Sequence, residues 1–215
     1  SLNPHLAKLV GISISFKIGE AYYVPLNHSN GKNLDEKNIL KILKPLLEDK
    51  TIKKIGQNIK FDYIIFYHRG IEMKFLEDTM LMSYVLDAGK NKHNMDELSK
   101  IHLDHQTISY KDLVGTGKKQ ITFDDVGIDQ AKDYAAEDAD VTYRLYKKFL
   151  KDIKEEKLVN IYESFEKPMI EILAKMEISG IKLDKDFLIK LSKKFEKKIA
   201  ELEKDIFKIS KKKFK

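Results

Sequence analysis

The sequence predicts an α/β domain followed by an all-helical segment, and three observations carry that reading. From Val10 to Ile18 apolar and polar residues alternate, with Val10, Ile12, Ile14, Phe16 and Ile18 on one face, the period of a half-buried strand. The short run Ile52 to Ile55 stops at Gly56 and leads directly into a helical run, the order of an α/β unit. After Lys151 the pattern is helical throughout.

Taken in order, Gly19-Glu20 turns the chain after the first strand, and Tyr22, Val24 and Leu26 repeat the period of two, with Pro25 pushing that run towards a sheet edge. A hairpin results. Asn33 stands three residues before Glu36, the spacing of a capping box, and Leu40, Leu43 and Leu47 recur at helical intervals across Pro45, so a helix covers about 34–48. The strand at 52–55 precedes a compact helix from about Asn58 that Gly70 stops. Helical patterns follow around Leu76 to Leu86 and from Asn94, where Asn94 and Glu97 repeat the cap spacing. A loop with Gly115 and Gly117 leads to a strong helix over about Ile128 to Leu150. The later helices break at Ser179-Gly180 and restart at Asp184. There Leu188, Leu191, Phe195, Ile199, Leu202, Ile206 and Ile209 step by threes and fours, a stripe that wants a partner, and the Lys-rich end from Lys211 is expected to be solvated.

At 215 residues, and roughly 150 per domain, the expectation is one domain plus part of another. With 42% hydrophobic and 34% charged residues the chain is globular, which excludes disordered and fibrous classes. The 40 Lys+Arg against 34 Asp+Glu give +6, which favours a polyanionic partner. Cys is absent, so disulfides and thiolate zinc sites are excluded. No apolar stretch suits a membrane span or a signal peptide, so a cytoplasmic protein without a membrane partner is expected. The chain opens with Ser1 rather than Met, as a fragment or processed chain would.

The helix through Tyr134 and Asp138 is the most informative. Its stripe of Ala131, Tyr134, Ala135, Asp138, Val141, Leu145 and Phe149 puts a carboxylate in line with residues that face the sheet. A charge there needs a cation, a metal ion or strong donors, unless the stripe is rotated and Asp138 is exposed or paired with a lysine. Asn58 and Asp62 share a face of the earlier helix, which Ile65 and Phe66 extend inward. That pair also reads as an Asn cap followed by a first-turn Asp. Two inward acids raise the possibility of a hard-metal site for Mg²⁺ or Mn²⁺ acting on phosphate. Other motifs fail: Gly115-Thr116-Gly117-Lys118 lacks the first glycine and the Ser/Thr of a P-loop, His102 and His105 are three apart rather than four, and no Gly-x-Ser-x-Gly elbow exists.

The run Lys54-Ile55-Gly56-Gln57-Asn58-Ile59-Lys60-Phe61-Asp62 resembles the second exonuclease motif of the proofreading domain of bacterial family A DNA polymerases, and Tyr134-Ala135-Ala136-Glu137-Asp138-Ala139-Asp140-Val141-Thr142 resembles the third. Phe165-Glu166-Lys167-Pro168, Leu173, Met176-Glu177 and Gly180-Ile181-Lys182-Leu183-Asp184 resemble the entry into the polymerase region. The resemblance implies an RNase H-like (DnaQ-like exonuclease) mixed sheet flanked by helices over residues 1–152, and the helical start of the polymerase thumb region over 153–215. It implies removal of nucleotides from a single-stranded or frayed DNA 3' end with two divalent metal ions, the remainder of the polymerase chain being the other partner. Asp62 and Asp138 would be metal-site carboxylates, and Tyr134 would orient the attacking water. Leu2 would pack on the terminal base, while Asn58, Lys92 and Tyr110 would hold the strand. Relatives have Arg and Phe where Lys92 and Tyr110 stand; a phosphate contact and a stacking face survive both changes, bidentate binding by Arg does not.

The family's first motif, Asp-x-Glu on the first strand, is expected a few residues before Ser1. Without it half of the implied metal carboxylates are missing, and this fragment is expected to be nearly inactive. Two rivals are a non-catalytic scaffold module that at most binds single-stranded DNA, and a structural protein that associates through the 188–209 stripe.

Overall fold

The computed structural model describes residues 3–212. Leu2, expected to pack on a terminal base, lies outside the described residues. β1 (Gly11–Lys17) and β2 (Glu20–Pro25) form the antiparallel hairpin, Ile12 opposite Val24 and Ile14 opposite Tyr22. Gly19 makes the turn at φ 78°, a conformation open to glycine at little cost.

Helix α1 (Glu36–Glu48) is capped by Asp35, whose carboxylate accepts from the Asn38 amide at 2.8 Å. The capping box expected from Asn33 does not form. Asn33 closes the preceding loop instead, accepting from the His28 amide at 2.8 Å and donating to its carbonyl at 2.9 Å. Both residue types cap well, and the one adjoining the first turn takes the role.

The α/β unit is β3 (Lys54–Gly56), α2 (Ile59–Tyr67), β4 (Leu76–Asp78) and α3 (Thr79–Asp87). Here the helix expected from Leu76 is corrected. Its first three residues are a fully buried strand parallel to β3, with Ile55 opposite Glu77 and Gly56 opposite Asp78, and the helix begins only where the Asp78 side chain caps it. Helix α4 (Met95–Leu103) starts as its spacing predicts, with Asn94 Oδ1 accepting from the Glu97 amide at 2.9 Å.

After the short α5 (Tyr110–Val114) comes α6 (Ile128–Glu155), which lies against β1, β2, β3, α3 and α4. One helix therefore covers both sheets, each of two strands among the described residues. Met82, Leu98, Leu145 and Phe149 make the core on its inner side. A second core joins Leu47, Tyr63 and Ile64 to Ile170 and Ala174. Those last two sit on α8 (Lys167–Ser179), which follows α7 (Val159–Ile161) through a π-helical turn at Tyr162–Glu166.

The chain divides into two compact units after Ile178. In the second, Gly180 breaks the helix at φ 66°, and α9 (Lys185–Ser210) restarts under an Asp184 cap that accepts from the Phe187 amide at 2.9 Å. The α9 stripe of Leu188, Phe195, Ile199, Leu202 and Ile206 is exposed.

One surface tie gives a pH-dependent prediction. Asp124 accepts from the Thr122 hydroxyl at 2.5 Å and pairs with Lys8 at 2.9 Å, and these two partners hold its carboxyl down at about 2. A carboxylate with a lowered folded pKa stabilises above its unfolded value, near 4, and loses that stability as pH falls through the folded one. Lys8 is half exposed, which screens the pair. Asp124→Asn should cost about 1 kcal/mol at pH 7, and urea titrations should show that cost shrinking below pH 4.

Candidate active site

The first half of the site is the turn from β3 into α2. A Cβ on Gly56 would lie 2.8 Å from the Ile59 Cβ, so this position excludes a side chain. Gln57 accepts from the Thr79 hydroxyl at 2.5 Å and donates to the His93 carbonyl at 2.8 Å, which holds the loop carrying Lys92. Asn58 adopts a left-handed conformation, φ 59° and ψ 48°, and its side chain makes no cap bond. The reading of Asn58 as a helix cap is therefore corrected.

The cap comes from β4. The buried Asp78 carboxylate accepts from the Asn58 and Ile59 amides at 3.0 and 2.9 Å, and from the Met80 and Leu81 amides at 2.9 and 3.4 Å. One side chain thus serves the N-termini of α2 and α3. Burial raises its pKa, and the four amide bonds oppose that rise.

Asp62 stands in the first turn of α2. The protein around it pushes its carboxyl up to about 7, with the Asp78 charge adding to the rise. Asp62 is nevertheless exposed, which corrects its reading as an inward acid, and contact with water damps that rise.

The second half is on α6. Ala131, Val141, Leu145 and Phe149 are buried, Tyr134 and Asp138 half-buried, so the stripe faces inward as read from the sequence. Asp138 is neither exposed nor lysine-paired among the described residues. The Tyr134 phenol lies near its carboxylate, and the buried Oδ1 has no partner. Burial pushes Asp138 up to about 7; the Tyr134 phenol opposes this, and the Asp96 and Glu137 charges reinforce it. Burial and the neighbouring Asp138 also raise the Tyr134 phenol.

Around Tyr134 the chain gathers aromatic rings from two other segments. Tyr110 and Phe123 stack at 6.3 Å, and each lies 6.0 Å from the Tyr134 ring. Sequence reasoning picked out Tyr110 but missed Phe123, which opens a 3₁₀ turn at Phe123–Asp125 too short to carry a periodic signal. It also missed two acids near Asp138 that tie α6 to other segments. Glu137 holds His105 Nε2 at 2.8 Å and the Ile108 amide at 2.6 Å, and Asp140 accepts from the Gly19 amide at 2.6 Å. Their signal was the acid-rich run itself.

The structure thus places Tyr110, Tyr134 and Asp138 in one cluster, Asn58 and Asp62 at the start of α2, and an exposed Lys92 on the loop held by Gln57. For a hard cation the donor chemistry is right: two carboxylates, one with an unpartnered buried oxygen. The number is not. Among the described residues no group of three or more His, Asp or Glu side chains converges as metal ligands do.

An α/β scaffold with a half-buried acid on α6 and an exposed acid in the first turn of α2 fits the fold class of RNase H-like nucleases. The chain belongs to the 3'-5' exonuclease family, whose sequence profile matches residues 1–154. It is 42% identical over 228 residues to DNA polymerase I of Rhizobium leguminosarum, a match covering 96% of this chain and 22% of that protein. The chain therefore spans less than a quarter of the relative's length. Among solved structures it is similar to the POL domain of Pol1 from M. smegmatis in complex with DNA primer-template and dNTP, at a TM-score of 0.69 and 18% identity over 92% of this chain and 30% of that one. It is also similar to Brucella melitensis NrnC with bound Mg²⁺, at a TM-score of 0.63 and 22% identity over 84% and 81% of the two chains. At these identities the likeness is one of fold.

Proposed function

We propose that this chain is the proofreading 3'-5' exonuclease portion of a DNA polymerase, hydrolysing the 3'-terminal phosphodiester of single-stranded or frayed DNA with two divalent ions, Mg²⁺ or Mn²⁺. The observation that carries the reading is Asp138, half-buried beside the Tyr134 phenol with a buried, unpartnered Oδ1. Such ions would supply charge stabilisation at phosphate and make a bound water more acidic than bulk water. Asp62 and Asp138 contribute oxygen ligands, and Tyr134 orients the water. Tyr110, stacked on Phe123, offers a face to an unpaired base. Lys92 neutralises a phosphate, and Asn58 holds the strand from the α2 turn. Residues 1–152 carry this activity in a cytoplasmic enzyme, and 153–215 lead into the polymerase region, the remainder of that chain being the partner.

The shortage of converging ligands favours a second reading, a scaffold module that at most binds single-stranded DNA. A strand bearing Asp-x-Glu ahead of Ser1, laid under α6 beside β1 and β3, would join the two sheets and add the wanted carboxylates. Mn²⁺ calorimetry on this chain, and on one extended about fifteen residues upstream, tests the choice. The extended form should bind and trim a 3' end, Asp138→Ala should weaken binding more than about tenfold, and the shorter chain should bind weakly and hydrolyse little. If neither form binds Mn²⁺, the scaffold reading stands.

A further inference from the structure

We infer that Tyr162, eight residues past the family match, is a positioning residue for the exonuclease site. Its side chain is buried, and its hydroxyl accepts from the Asp78 backbone amide at 3.0 Å while donating to Glu77 Oε2 at 3.0 Å. Asp78 is the last residue of β4, which pairs with β3 on one side only among the described residues. The phenol therefore does for that amide what the carbonyl of another strand would do. The same Asp78 holds the first amides of α2 through its carboxylate, one turn ahead of Asp62.

A chain of direct bonds thus runs from the π-helical turn after α7 to the helix that presents Asp62. Glu77 anchors its far end: Oε1 pairs with Lys167 at 2.8 Å and Lys53 at 3.6 Å, and Lys53 donates to the Tyr146 hydroxyl at 3.0 Å. Removing the Tyr162 hydroxyl strands a buried amide and a buried carboxylate oxygen together, and the way to relieve both is to shift β4 and its double cap. The link to metal binding rests on the exonuclease reading above; the link to the α2 turn does not.

The test compares two single-atom changes in the upstream-extended chain. Tyr162→Phe should speed amide hydrogen exchange at Asn58, Ile59 and Met80 at least tenfold, leave the β1–β2 hairpin amides within threefold, and weaken Mn²⁺ binding at least fivefold. Tyr146→Phe removes a hydroxyl from the same buried region without touching Asp78. It should leave the three amides within threefold. Unchanged exchange at Asn58 and Ile59 in Tyr162→Phe overturns the inference, as does an equal response to Tyr146→Phe. Faster exchange with unaltered Mn²⁺ affinity also overturns it, since α2 would then move without consequence for the site. If the parent chain binds no Mn²⁺, the exonuclease reading has failed and the positioning role falls with it, an outcome recognised because the exchange rates still respond.

Discussion

Asp78→Ala is expected to destabilise the protein by about 4 kcal/mol, far more than an ordinary capping substitution. Four amides lose their acceptor at once, two at the start of α2 and two at the start of α3, in a place that water does not reach. Asp78→Asn keeps the Oδ1 position that serves Asn58, Met80 and Leu81, and loses only the bond to Ile59, so its cost should be about 2 kcal/mol. Urea unfolding followed by circular dichroism gives both numbers. A loss below about 1.5 kcal/mol for the alanine variant would show that the two helices are held by packing rather than by the shared carboxylate.

Asp138→Asn is expected to move stability the other way. In the presence of a chelator the wild-type carboxylate keeps one oxygen buried without a partner, beside the charges of Asp96 and Glu137. The amide carries no charge, so the variant should be more stable by about 1 to 2 kcal/mol at pH 7.5. With Mn²⁺ added to the extended chain, the wild type should gain stability and the variant should not. A variant that melts below wild type in chelator would mean that the carboxylate is already satisfied, and the case for a cation at Asp138 would lose its footing.

Much of this architecture is legible in the sequence because the signals are long or local. The α6 stripe runs from Ala131 to Phe149 within a 28-residue helix, enough to fix which side of the helix carries Asp138. Asn94 and Asp184 each precede a helix that they do cap, and the hairpin follows from alternation alone. The misses share a physical cause, which is dependence on distant partners. β4 has three residues, too few to show a period, and it is a strand because β3 lies alongside. Asn58 looks like a cap, yet the acceptor is Asp78, twenty residues away. Phe123 matters only because the fold brings it to Tyr110 and Tyr134, and the Glu77 cluster closes over 85 to 90 residues. No local pattern reports such contacts.

The core that joins Tyr63 and Ile64 to Ile170 and Ala174 also bears on how the protein comes into being. A ribosome delivers the chain from its N-terminus at about 5 to 20 residues per second. The hairpin, the α/β unit and α6 therefore emerge while the wall of α2 that α8 will cover still faces water. The nascent domain waits roughly one to five seconds with that apolar surface bare, and a protein cut where the family match ends, at residue 154, would keep it bare. Completion of the nuclease fold is thus tied to arrival of the helix that follows it, and a chain released early would leave the ribosome as a substrate for chaperones rather than as a finished domain.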